Sequence, residues 1–114
     1  MLRRRRTSGE KRSDDPRERP TRFLRLIEFQ TTRIDEVCAL ERQWRDAEGA
    51  GSATAMSITR DRDRQNRYVW MIEFPSREHA ARSDELEETQ HITEQLMKLA
   101  DGPAVLRNLD ALDQ

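Results

Sequence analysis

The residues of this sequence best suited to chemistry are two carboxylates on predicted strands and one imidazole on a predicted helix. Glu28 and Glu73 each interrupt an apolar run, where a desolvated carboxylate can act as a general base. His91 lies about one helical turn from several glutamates, and its imidazole can exchange a proton near neutral pH. His91 and Glu73 form a catalytic pair only if both face one dry cavity. The ordinary alternative is that the carboxylates pair with arginines and the histidine is solvated.

Four further side chains are suited to holding a planar molecule. Tyr68 and Trp70 share the bulky face of one predicted strand and could stack on an aromatic ligand, although the same alternating spacing is typical of a core. Met56 lies on a strand whose other side carries only small residues, which leave room for a ligand. Asn108 lies near the end of the last predicted strand, where such side chains more often satisfy the backbone. We predict these four, together with Glu28, as ligand-binding residues.

Hydrophobic periodicity predicts the elements that position these residues. Strands are predicted at 23–30, 53–60, 67–74 and 105–112, a first helix at about 33–48, and a second helical region at 77–100 that breaks near Ser83. Ser76 is predicted to cap the second helical region, and the turn Asp101-Gly102-Pro103 ends it. The order β-α-β-β-α-β predicts a ferredoxin-like α+β fold, with two helices on one face of a four-stranded antiparallel sheet.

The predicted sheet has a second face that no helix covers. The first strand is apolar on both sides, with Phe23, Ile27 and Phe29 on one and Leu24 and Leu26 on the other, so the uncovered face is not polar whichever side it takes. An exposed apolar face of this size is typical of an interface, and two sheets could pair to bury about 800 Å² per partner. We therefore predict a homodimer. The alternative is that a ligand covers part of the face.

Charge separates the chain into two regions. Residues 1–22 contain nine basic and four acidic side chains and almost no apolar ones, which predicts a disordered basic tail, whereas residues 23–112 form the predicted domain. The remainder of the chain has a net charge of −6, which disfavours nucleic-acid binding. No apolar run suggests a membrane span or a signal peptide, and Cys38 is the single cysteine. We expect a cytoplasmic protein.

Three runs of the sequence carry a family resemblance: residues 69–76 (VWMIEFPS), 83–90 (SDELEETQ) and 101–110 (DGPAVLRNLD). They resemble the dimeric α+β barrel superfamily and, more narrowly, small bacterial proteins grouped with the antibiotic biosynthesis monooxygenase-like domains. The resemblance covers residues 23–112. It implies a ferredoxin-like protomer that pairs into a barrel, with a pocket for an aromatic or polyketide-like molecule. Fold by itself does not choose among the activities of such proteins.

The resemblance leaves two functions open. The first is a binding or accessory homodimer that holds a small aromatic or polyketide-like molecule. The alternative is a cofactor-independent monooxygenase, in which His91, Glu73 or Trp70 would transfer protons and position the substrate. Neither function requires a cofactor or metal, and we expect none.

Haem degradation, known in another branch of the superfamily, is disfavoured. That branch uses an aromatic residue near the end of strand three, a histidine on the following helix and an asparagine on strand one. Here His79 follows strand three, but Phe74 takes the strand end and Trp70 lies mid-strand. Residues 23–30 contain no asparagine.

Overall fold

The computed structural model describes residues 22–48 and 53–112 of the chain. Four strands and three helices follow in the order β1 (Phe23–Gln30), α1 (Ile34–Glu48), β2 (Ala55–Arg60), β3 (Arg67–Phe74), α2 (Arg77–Asp84), α3 (Glu87–Leu99) and β4 (Val105–Asp110). The strands form one antiparallel sheet in the order β2-β3-β1-β4. The predicted ferredoxin-like α+β fold is confirmed.

The predicted element bounds agree closely with the structure. β1 and β3 have the predicted limits, β2 begins two residues later than predicted, and β4 ends at Asp110 rather than at residue 112. The second helical region divides into α2 and α3 at the predicted break. Ser76 is the N-cap of α2, where its hydroxyl accepts the His79 backbone N–H. Gly102 follows α3 with φ of 101°, a conformation that favours glycine. Apart from Arg22, the predicted tail lies outside the described residues.

The strand register separates the two faces of the sheet. Trp70 lies opposite Ile27 and Ile58, and these residues face the helices. Leu26 lies opposite Met71 and Arg107, on the face that none of the described helices covers. We call this second surface the open face. It also carries Leu24, Glu28, Val69, Glu73, Val105 and Leu109.

The hydrophobic core lies between the helix-facing side of the sheet and the helices. β1 and β3 contribute most of its aromatic rings, and the apolar stripes of α1 and α3 cover them, in accordance with the helical spacing of those residues. The buried apolar residues of the core are Phe23, Phe29, Val37, Leu40, Trp44, Tyr68, Trp70, Ile72, Phe74, Ala80, Ile92, Leu96 and Leu99.

Two hydroxyl groups, one buried and one half-buried, join segments that are distant in sequence. Thr31, which is fully buried, donates to the Leu99 carbonyl oxygen at 2.7 Å and accepts the Arg33 backbone N–H at 2.9 Å. Trp44 Nε1 donates to Thr89 Oγ1 at 2.9 Å, which joins α1 to α3. The first bond ties the end of α3 to the segment after β1, and the second ties the two long helices to each other. Among the described helices, none is long and apolar enough to span a membrane.

Candidate functional site

A cavity of about 120 Å³ lies between the sheet and the helices, and we call it the central cleft. Its walls are mainly apolar, and its aromatic and aliphatic lining includes Ile27, Trp44, Trp70, Ile72, Phe74, Ile92 and Leu96. Cavities that hold drug-sized ligands usually measure about 300–1,000 Å³, whereas an apolar cavity of about 150 Å³ is enough for benzene. At about 120 Å³ the central cleft is slightly below that volume, so it can hold at most a single aromatic ring.

Two tryptophans line the central cleft. Trp70 is 2% exposed and meets Trp44 edge to face, with ring centroids 6.4 Å apart and an interplanar angle of 85°. The Trp70 Nε1–H is buried and has no hydrogen-bond partner among the described residues. Because this nitrogen is buried, a ligand oxygen could bond to it only if the surrounding side chains moved. The indole rings therefore offer a ligand mainly stacking and apolar contact.

A polar cluster borders the central cleft at Arg25. The Arg25 guanidinium donates to both carboxylate oxygens of Asp84, at 2.6 and 3.1 Å, and its Nε donates to Asn108 Oδ1 at 3.0 Å. It also lies 5.9 Å from the ring centroids of Phe23 and Phe74, within the range of a cation–π interaction. The Arg25 side chain is 15% exposed. A positive charge is thus held in fixed orientation beside an apolar cavity.

The structure separates the predicted catalytic pair. His91 is exposed and borders a shallow groove between α1 and α3, with Gln43 and Ala47 on the opposite side. Glu73 lies on the open face, where it accepts hydrogen bonds from Arg22 Nη1 at 3.1 Å and Thr54 Oγ1 at 2.9 Å. The sheet and the core lie between the two side chains. They do not converge on one cavity.

Of the other predicted site residues, Trp70 lines the central cleft and Asn108 contacts Arg25 at its border. Met56 packs against the core beside Ile72. Tyr68 stacks on Phe29 with ring centroids 5.9 Å apart. The structure thus brings two of the predicted ligand-binding residues to the central cleft.

A second, more polar pocket of about 270 Å³ lies near the start of β3, and Glu28 and Tyr68 are among its lining residues. Glu28 accepts from Arg107 Nη1 at 2.8 Å, so this strand carboxylate is paired with an arginine. Arg64 and Asp61 form another pair in this pocket at 3.8 Å. Its charges are therefore largely paired with one another.

Arg25 and Asp84 are not among the site residues predicted from the sequence. A signal for Arg25 was present, because it interrupts the apolar side of β1 between Phe23 and Ile27. No comparable signal marks Asp84, which is 59 positions away and approaches Arg25 only through the fold. His79, the residue compared with an iron ligand, has its Nδ1 2.8 Å from Ser76 Oγ at the start of α2 and does not line the central cleft.

Two exposed carboxylates have lowered pKa values. Hydrogen bonding to Arg33 lowers the pKa of Glu36. Hydrogen bonds to its own backbone N–H and to Ser76 lower the pKa of Glu78 at the start of α2. Neither carboxylate lines the central cleft, so these shifts concern stability rather than ligand binding.

Comparison with known sequences finds no match, either among protein-family models or among curated proteins. Solved structures do match. A candidate antibiotic biosynthesis monooxygenase from Caulobacter crescentus has 10% sequence identity and a TM-score of 0.71, covering 82% of this chain and 92% of its own. SnoaB, a cofactor-independent oxygenase from Streptomyces nogalater, has 14% identity and a TM-score of 0.69, covering 82% and 96%.

Rv0793 from Mycobacterium tuberculosis is similar at the same level, with 13% identity, a TM-score of 0.67 and coverage of 82% of this chain and 98% of its own. At these identities the likeness concerns the fold. The chain has the ferredoxin-like α+β fold of the antibiotic biosynthesis monooxygenase-like structures, as the sequence resemblance predicted.

Proposed function

We propose that this protein is a cytoplasmic homodimer that binds a small aromatic molecule in the central cleft. The observation that carries the proposal is an apolar cavity of single-ring size, lined by Trp44 and Trp70 and bordered by the charged pair Arg25–Asp84. Apolar walls with a few fixed polar groups are typical of small-molecule sites. A polyketide-like molecule of several rings would require the helices to move away from the sheet.

We base the proposed dimer on the open face, which a second copy of this chain would cover. Met71 is 37% exposed, Leu109 is 41% exposed and Val105 is 47% exposed there, so an isolated protomer would present an apolar sheet to water. The ion pairs Glu73–Arg22 and Glu28–Arg107 also lie on this face. An apolar centre with charged groups around it is the usual anatomy of a protein interface.

Ligand binding can be measured by intrinsic fluorescence, because both tryptophans of the chain line the central cleft. We expect a single-ring aromatic compound to change the tryptophan emission saturably. Ala104→Leu, which adds a side chain to the cleft wall, should abolish the change. Ala81→Leu, on the exposed surface of α2, is the matched control and should leave the change intact. Equal responses from both variants would contradict binding in the cleft.

Native mass spectrometry of protein purified without added ligand tests the same proposal without choosing a compound. Two chains with a reproducible small-molecule adduct would support a ligand-binding dimer and would reveal the ligand. Two bare chains would favour an accessory role. A bare monomer would contradict the argument from the open face.

The alternative function is cofactor-independent oxygenation, the activity of SnoaB, which shares the fold. The separation of His91 from Glu73 favours binding over this alternative, since the cleft then lacks the predicted base. Oxygen uptake with an aromatic substrate tests it. If Trp70→Phe abolishes the oxygen uptake and His91→Gln preserves it, the result would place oxygenation in the central cleft.

A further inference from the structure

The guanidinium of Arg25 retains capacity to bind a second group. Arginine has five N–H donors, and in Arg25 three of them bond to Asn108 and Asp84. The other two have no partner among the described residues. Asn108 fixes the orientation of the guanidinium, and the rings of Phe23 and Phe74 flank it. A planar fork held in this way is well suited to a carboxylate.

Asp84 is a replaceable partner for this guanidinium. Its side chain is 46% exposed, so moving into water costs it little. It is also the last residue of α2, and a negative charge at a helix C-terminus is unfavourable. Its carboxylate makes no described hydrogen bond except to Arg25, since Gln90 Nε2 bonds to the Asp84 backbone oxygen.

Resting on the proposed function, we infer that the central cleft selects an aromatic carboxylate of one ring, and that Arg25 is the residue that selects it. The ligand carboxylate takes the place of Asp84 on the guanidinium, and the ring enters the cavity beside Trp70 and Phe74. Asp84 then turns into water. After the exchange, the ligand carboxylate balances the positive charge of Arg25. With a neutral ligand, that charge stays balanced only if Asp84 remains in place.

Benzoate and benzamide test this inference, because they have nearly the same shape and differ in charge. We expect the full-length protein to bind benzoate more tightly than benzamide, measured by tryptophan fluorescence and by calorimetry. Asp84→Asn removes the competing charge and should tighten benzoate binding by about fivefold, the scale of a partly exposed ion pair, with benzamide unchanged. Glu85→Gln makes the same charge change at an adjacent exposed residue and should alter neither affinity.

Arg25→Gln should remove the preference for benzoate while a ligand of either kind still enters the cleft. Thermal melting of each variant checks that it is folded, and the benzoate preference of the unaltered protein remains a test if a variant does not fold. Equal affinities for the two compounds, unaffected by Asp84→Asn, would overturn the selection of a carboxylate but leave the binding cleft in place. Binding of neither compound would overturn both the inference and the proposed ligand site.

Discussion

The Leu26→Asp substitution tests the proposed dimer most directly. Leu26 lies in the middle of the open face, between Met71 on one neighbouring strand and Arg107 on the other. At least about two-thirds of its side chain is already buried in the protomer, so no more than about a third of the 1.5–3 kcal/mol for burying a leucine, or about 0.5–1 kcal/mol, remains to be gained on pairing. Two copies contribute about 1–2 kcal/mol. Desolvating two carboxylates costs several kcal/mol more.

Together these effects should weaken the dimer by at least about 4 kcal/mol, which is about a thousandfold in the dissociation constant. Size-exclusion chromatography with light scattering, over a range of protein concentrations, would show the variant as a monomer or as insoluble protein. Leu86→Asp is the matched control, because Leu86 is also partly exposed but lies at the start of α3, on the helix side of the sheet. A soluble, folded dimer carrying Leu26→Asp would refute the assignment of the open face as the seam.

Three further predictions concern stability. Trp70→Ala should lower the free energy of unfolding by about 3–5 kcal/mol, more than any single charge change, because it leaves a large cavity in the core. Urea denaturation measures this loss, and a loss below about 1 kcal/mol would place Trp70 outside the core. Thr31→Val should cost about 2–3 kcal/mol in the same assay, because the bond to the Leu99 carbonyl and a second hydrogen bond are lost in a buried site, whereas Thr31→Ser should cost clearly less. The lowered pKa of Glu78 means that the folded state favours its carboxylate, so this contribution is present above the ordinary value of 4.5 and is lost as pH falls through the lower folded value. In the Glu78→Gln variant, thermal stability should therefore fall less than in the unaltered protein when the pH drops below that value. An unchanged pH profile would argue against the hydrogen bonds of Glu78 with Ser76 and the helix start.

The sequence predicted the elements well because each has a strong local signal. β3 alternates aromatic and aliphatic residues without interruption, Ser76 has the residue type of an N-cap, and Gly102 and Pro103 follow the helix that they end. Periodicity also indicated that β1 is apolar on both sides, from which the open face was inferred. These are local properties, and the fold class follows from their order.

The site was predicted less completely, because a site depends on which residues of different elements meet. Trp70 was selected as a ligand-binding residue and lines the central cleft, whereas Glu73, one position away from Phe74 on the same strand, faces the opposite side. His91 has the chemistry of a proton carrier, but its helix turns it outward to the groove beside α1. One residue of shift along a strand, or about 100° of rotation on a helix, decides such outcomes.

The sequence by itself determined the order of strands and helices and the apolar character of both sheet faces, because hydrophobic period and turn residues act locally. Only the tertiary structure decided that Arg25 meets Asp84 and Asn108, which lie 59 and 83 positions further along the chain. Packing α3 on the sheet also decided the volume of the central cleft, since a cavity is the space left between side chains of separate elements.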